Sequence, residues 1–241
     1  MLLIFDLDMT LVDVSSVDFE MILRHALEIS GVDMPMQEEI KELWHSGSDH
    51  PSILERWGVK NILSFWKYFD EKDEETRKRL MDAGTITLFP DVVPALERLE
   101  QIEEMVLAIH SNTPKPLAKI ELDRFELTKH FDFILALNDG DYNQLRAKPE
   151  PWGINHIIRK MQKRNLLSRK HPHREVAFIG DSEIDMIAAS RAGIPGIQII
   201  RGGVNPSVHA TRIITTLNDL DYTLLQSIFH VKKHIRDHAD C

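Results

Sequence analysis

Leu2-Leu3-Ile4-Phe5-Asp6-Leu7-Asp8-Met9-Thr10, at the start of the chain, joins an unbroken apolar run to a pair of carboxylates. The run does not alternate as a half-exposed strand would, and so suits a strand covered on both faces in a parallel sheet. In an extended chain Asp6 and Asp8 project to one side while Leu7 projects to the other. Two negative charges in one small space are unfavourable unless a cation or proton neutralises them. The carboxyl end of a parallel strand is also where open α/β sheets bind ligands. With Thr10, the same residues also read as a strand-end turn that caps a helix.

Similar apolar runs recur at Met105 to Ile109, Phe131 to Leu137, Val176 to Ile179 and Ile197 to Ile200, separated by helix-like segments. That spacing predicts βαβ units and a doubly wound, Rossmann-like α/β sheet. Between Asp13 and about Phe89 the pattern is helical only, punctuated at Gly31, Pro35, Gly47, Gly58 and Gly84. Apolar stripes containing Val17, Met21 and Leu27, then Ile40, Leu43 and Trp44, then Ile62, Phe65, Trp66 and Phe69 mark successive amphipathic helices. The expected division is therefore a core of residues 1–13 and 88–241 and a helical insertion of residues 14–87. Two crossings between the units make a hinge plausible.

The chain has 241 residues, is 43% hydrophobic and 28% charged, and carries a formal net charge of -9. It can bury a substantial core, which excludes disorder, and its acidity argues against general attraction to nucleic acid or anionic membrane. The one cysteine, Cys241, leaves no internal disulfide or thiolate metal cluster, as suits a reducing cytosol. The apolar start lacks a basic leader, and no run approaches the ~20 residues of a membrane span. A cytoplasmic protein is expected. The segment from Arg164 to Glu175 reads as a basic surface loop, and the tail after Phe229, with His230, His234 and His238 at helical spacing, as a polar terminal helix outside the site.

Three further groups stand at or just after the apolar runs. His110-Ser111-Asn112-Thr113 offers hydroxyl and amide donors for a phosphoryl oxygen, or an N-cap for a helix starting near Pro114. Lys148-Pro149 supplies an ammonium able to offset an anion, or a solvated side chain. Gly180-Asp181-Ser182-Glu183-Ile184-Asp185 places one aspartate at a strand end and another a helical turn on, an arrangement equally suited to capping. Taken in order, DLDMT at Asp6 to Thr10, HSNT at His110 to Thr113, KPEP at Lys148 to Pro151 and GDSEIDMIAASRAGIP at Gly180 to Pro195 make the core resemble the haloacid dehalogenase-like hydrolase superfamily. The last motif is the most specific. The helical insertion is similar to the family's small cap, and the phosphoglycolate phosphatase-like and β-phosphoglucomutase-like branches are nearest in layout.

The resemblance implies that Asp6 is a nucleophile forming an aspartyl-phosphate and that Asp8 protonates the leaving oxygen and later activates water. It implies phosphate binding by Ser111, with Asn112 beside it, and by Lys148. It also implies a metal site of Asp6, Asp181, Asp185 and Asp8, the last through its backbone carbonyl. Independently, four carboxylates against one lysine call for a hard divalent cation, and oxygen ligands favour Mg2+. Met9 departs from the pattern where many members have glycine, which leaves the turn after Asp6 open. Asp8 itself disfavours dehalogenation, because a halide leaves without a proton.

The resulting expectation is a Mg2+-dependent phosphatase acting on a small phosphorylated metabolite. A phosphosugar mutase and a catalytically silent binding or regulatory protein are the alternatives. In the family the cap selects substrate. Here Arg24, His45, His50, Arg56, Lys60 and Lys67 are candidate contacts and Trp44, Trp57 and Trp66 candidate walls, but all read more readily as solvated face or core, so none is assigned.

Overall fold

The computed structural model describes residues 1–168, 170–203 and 205–229, so His230, His234, His238 and Cys241 lie outside the described residues. Its centre is β1 (Leu2–Phe5), whose four side chains are all buried. Leu3 and Phe5 enter one hydrophobic cluster, and Leu2 and Ile4 a second on the opposite face. This is why the run is apolar at every position: the period-two pleat feeds two cores at once.

The other strands of the sheet are β4 (Val106–Pro114), β5 (Phe133–Leu137), β6 (Val176–Gly180), β7 (Gly196–Ile199) and β8 (Arg212–Ile214). All pair in parallel, in the spatial order β5-β4-β1-β6-β7-β8. Counted by appearance among these six, that is 3-2-1-4-5-6, the Rossmann order, whose direction reverses beside β1. On one face α5 (Val92–Glu100) buries Val92, Ala95, Leu96 and Leu99, joined by Ala118 and Leu122 of α6 (Lys115–Arg124) and Leu225 of α9 (Tyr222–Phe229). On the other, α7 (Trp152–Lys163) and α8 (Glu183–Arg191) pack Ile154, Ile157, Met161 and Met186 against the sheet.

The expected runs thus form strands, with β4 continuing through the HSNT segment to Pro114. Its pairing with β5 shifts register between Ser111 and Pro114. Such irregularities re-aim side chains beside functional sites.

Three strands were not expected, β8 at the sheet edge and two outside the sheet. β2 (Val12–Asp13) and β3 (Thr87–Leu88) pair antiparallel, Val12 with Leu88 and Asp13 with Thr87. Between them lie α1 (Phe19–Ile29), α2 (Gln37–His45), α3 (His50–Trp57) and α4 (Ile62–Asp82). Asp18 caps α1 by accepting from the Met21 N–H, and Asn61 caps α4 by accepting from Ser64. Ile22, Leu23, Leu27, Leu54 and Phe65 of these helices share the first hydrophobic cluster with β1. Among the described residues no helix is long and apolar enough to cross a membrane.

The turn between β1 and β2 puts Met9 at φ +54°, in the left-handed region, with its N–H donating to Val12 O at 2.8 Å. An L-residue with a side chain is disfavoured there by about 1–2 kcal/mol. Met9→Gly should therefore be more stable than Met9→Ala by about 1 kcal/mol once glycine's extra unfolded freedom is subtracted. Both variants lose the methionine side chain, so their difference in urea unfolding isolates the backbone; equal stabilities would show the turn to be unstrained.

Candidate active site

Asp6 follows β1 and Asp181 follows β6, on the two neighbouring strands where the sheet order reverses. The Asp6 N–H donates to Ile179 O at 2.8 Å, which continues the ladder one residue past the strand and fixes where its side chain emerges. Lys148, in the loop after β5, is buried at 3% exposure and reaches both Asp6 Oδ1 at 2.6 Å and Asp185 Oδ1 at 2.7 Å. One ammonium therefore ties the end of β1 to the first turn of α8.

Asp185 serves two purposes. Its Oδ2 accepts from the Ser182 N–H at 3.1 Å and Oγ at 2.6 Å, closing a capping box on α8, while Oδ1 holds Lys148. The capping and charged readings of the motif are both present in one side chain. Gly180 makes room for it: a Cβ there would stand 2.4 Å from Asp185 Oδ2.

Carboxylate oxygens of Asp6, Asp181 and Asp185 lie within 4.8 Å of one another. Burial, and next the opposing effect of Lys148, set the balance at Asp6, whose carboxyl is pushed up to about 7. Burial followed by the charges of Asp185 and Asp6 pushes Asp181 up to about 8. Crowded acids that resist ionisation, offering only oxygen, are a donor set suited to a hard divalent cation. Thr10 Oγ1 donates to Asp181 Oδ1 at 3.5 Å, and Gln198 fixes the Asp181 carbonyl at 2.9 Å.

Asp8 has other partners. Arg77 of α4 grips it with two nitrogens, Nη1 to Oδ1 at 2.8 Å and Nη2 to Oδ2 at 2.7 Å, and Thr113 Oγ1 donates to Oδ2 at 2.9 Å. Its carboxylate is not one of the three clustered acids. Arg77 is 2% exposed and also donates to Asp73 at 2.9 Å and Glu121 at 3.0 Å. Burial foremost, then the charge of Asp8, pushes the Glu121 carboxyl up to about 8.

Ser111 is buried and lines the cavity between the inserted helices and the sheet, its Oγ accepting from the Thr113 N–H at 3.0 Å. The Asn112 carboxamide is engaged with the Lys148 loop. Its Oδ1 accepts from the Lys148 N–H at 2.9 Å and the Tyr142 hydroxyl at 2.6 Å, and its Nδ2 donates to Lys148 O at 3.1 Å. Asn112 therefore holds the strand end to the lysine loop, and its side-chain acceptor is not open to a ligand.

The cavity, of about 390 Å³, is lined by Asp6, Asp8, Ser111, Asn112, Lys148 and Asp181 from the core. From the insertion, His50, Trp44 and Trp66 line it, as do Asp73 and Arg77. Arg24, Arg56 and Lys67 instead form exposed pairs with Glu20, Glu42 and Glu71. Arg77 was not anticipated, nor was Thr113 as a partner of Asp8. The signal for Arg77 was the Asp73–Arg77 spacing on α4, which is indistinguishable in sequence from an ordinary surface i,i+4 pair.

Residues 3–199 match the family model of the haloacid dehalogenase-like hydrolases, which covers well over half of the chain. The protein belongs to that family. This haloacid dehalogenase-like hydrolase is 29% identical over 207 residues to a phosphoglycolate phosphatase of Rhodobacter capsulatus, covering 83% of this chain and 84% of the relative. It is 26% identical over 199 residues to a putative pyrophosphatase PpaX of Caldanaerobacter subterraneus subsp. tengcongensis, covering 81% and 80% respectively. In three dimensions it superposes on a putative haloacid dehalogenase-like hydrolase from Bacteroides fragilis with a TM-score of 0.67 and 25% identity, over 91% of this chain and 99% of the other.

Proposed function

We propose that this hydrolase is a Mg2+-dependent phosphatase of small phosphomonoesters, with residues 1–13 and 88–241 as catalytic core and residues 14–87 as a cap. The observation that carries the reading is the Lys148 ammonium 2.6 Å from Asp6 Oδ1, within a cluster completed by Asp181 and Asp185. Phosphatase relatives agree with it.

Asp6 attacks phosphorus in line: the bond from Asp6 Oδ to phosphorus forms as the bond to the leaving oxygen breaks, and Asp8 gives that oxygen its proton. Water then attacks the aspartyl-phosphate, Asp8 takes the water's proton, and Asp6 is released with inorganic phosphate. In the present arrangement both Asp8 oxygens accept hydrogen bonds from Arg77 and Thr113; the acid role requires one of them to turn from these partners toward the leaving group. Ser111 and Lys148 hold the phosphoryl oxygens. Asp6, Asp181 and Asp185, with the Asp8 carbonyl, would hold Mg2+, which would supply charge neutralisation at the phosphoryl group. The cap closes over the cavity and excludes water.

Single-turnover hydrolysis in heavy-oxygen water should place label on the Asp6 carboxylate. First-turnover label found only in released phosphate would mean direct attack by water and would sink the covalent route. Product analysis separates a mutase: isomerised phosphosugar without free phosphate would replace this reading.

The metal role has a readout apart from turnover. Carboxyls at Asp6 and Asp181 ordinarily lose their protons near 3.8, but in the metal-free fold they keep them to about 7 and about 8. At these two groups the folded chain binds more protons than the unfolded one, so their contribution to stability falls as pH rises from about 4 to about 8. The gain in urea midpoint when Mg2+ replaces a chelator should therefore be larger at pH 8 than at pH 5. A Mg2+ effect equal at both pH values would argue that these acids do not hold the ion.

A further inference from the structure

We propose that the leaving group this site accepts carries no negative charge and presents an apolar face, a ring or compact hydrocarbon, to the inserted helices. The inference rests on the phosphatase reading and concerns the half of the cavity that the phosphoryl group does not fill.

Two side chains with a permanent positive charge line the cavity, Lys148 and Arg77, and both are already matched. Lys148 lies between Asp6 and Asp185, where the phosphoryl group must sit. Arg77 faces Asp8, Asp73 and Glu121, and its Nε, Nη1 and Nη2 are all donating to these acids. Neither offers a free guanidinium or ammonium to a carboxylate or second phosphate on the leaving group.

The rest of the insertion-side wall is mainly aromatic, aliphatic and acidic, with Ser46 and His50 its uncharged polar side chains. Trp44, Trp66 and Phe69 pack edge to face or tilted, with ring centroids 5.6 and 5.7 Å from Phe69. Trp66 Nε1 donates to His50 Nδ1 at 3.2 Å, which leaves its indole hydrogen occupied and its ring as the available surface. Asp70 and Asp73 stand on the same wall. Burial, with Asp73 and Glu71 next in order, pushes the Asp70 carboxyl up to about 7, so this wall already opposes one more negative charge. A leaving-group anion brought here would meet the same opposition. An uncharged ring would instead gain apolar contact, and its rejection of anions follows from the same carboxylates.

Benzyl phosphate and phosphoglycolate test this, because both release an alcohol and differ in ring against carboxylate. Acetyl phosphate, small and activated, tests the phosphatase reading independently. Asp6-dependent hydrolysis of acetyl phosphate supports that reading, and its absence removes both. Given that activity, kcat/KM for benzyl phosphate should exceed that for phosphoglycolate by on the order of tenfold or more. Asp70→Asn should narrow the ratio by improving phosphoglycolate, and Trp66→Ala should lower kcat/KM for benzyl phosphate more than for acetyl phosphate. Preference for phosphoglycolate by the unmodified protein, or a ratio untouched by Asp70→Asn, would overturn the inference while leaving the phosphatase reading intact.

Discussion

Asp6→Asn is expected to lower phosphomonoester turnover by on the order of 10⁴- to 10⁶-fold, the scale on which removal of a covalent nucleophile is felt. Asparagine has nearly the same shape but cannot form the acyl-phosphate bond. The structure separates this loss from misfolding. Asp6 resists ionisation because it is buried, and Lys148 keeps Asp185 at 2.7 Å when the first partner is neutral. Without metal at pH 8 the variant should therefore be at least as stable as the unmodified chain, by urea unfolding, while being inactive. Residual turnover above about one part in a hundred would exclude Asp6 as the nucleophile.

Arg77→Met should cost about 3–5 kcal/mol of stability, the range seen when one partner of a buried ion pair is removed and the other charge is left unmatched. Methionine fills similar length without charge, so Asp8 and Asp73 lose their cation while packing is largely kept. The loss should shrink as pH falls, because the stranded Asp73 carboxyl, already raised by burial, then takes up a proton. Arg77→Lys should recover part of it, since one ammonium cannot reproduce the two-pronged grip on Asp8. Chemical denaturation at pH 5 and pH 8 gives both quantities. A loss below about 1 kcal/mol at pH 8 would mean the cluster contributes no more than an exposed pair.

These two residues also show what the sequence discloses. Asp6 was legible because its chemistry is local: a carboxylate directly after an apolar strand, in a fold whose strand ends bind ligands. Asp181 and Asp185 just after β6, and Lys148 in the loop that follows β5, were legible through the motifs that contain them. Arg77 was not. It sits within Glu71-Lys72-Asp73-Glu74-Glu75-Thr76-Arg77-Lys78, whose composition is that of a solvated helix face, yet Asp73, Thr76 and Arg77 are buried. Tertiary contacts turn that stripe inward, with Arg77 reaching Asp8 beyond β1 and Glu121 of α6. At Asp8 it was the partners that were hidden: Asp6 and Asp8 line one cavity, as the strand-end spacing suggests, but the Arg77 and Thr113 contacts come from elements distant in sequence. The strands that escaped notice, β2, β3 and β8, are two or three residues long, too short for any periodicity, and Arg212 and Ile213 of β8 are exposed at the sheet edge.

The smallest of these strands has a consequence for how such a chain can change over time. Because Val12 pairs with Leu88 and Asp13 with Thr87, the chain leaves the sheet and returns to it through one stapled neck. Seen from that neck, everything between is an excursion whose two ends already coincide, so its length adds little to the cost of closing it. Lineages can lengthen, shorten or re-sequence that excursion while Asp6 and Asp181 stay registered across β1 and β6. Change can then accumulate at one address of the gene, in helices that line the cavity, without disturbing the strand ends on either side of it.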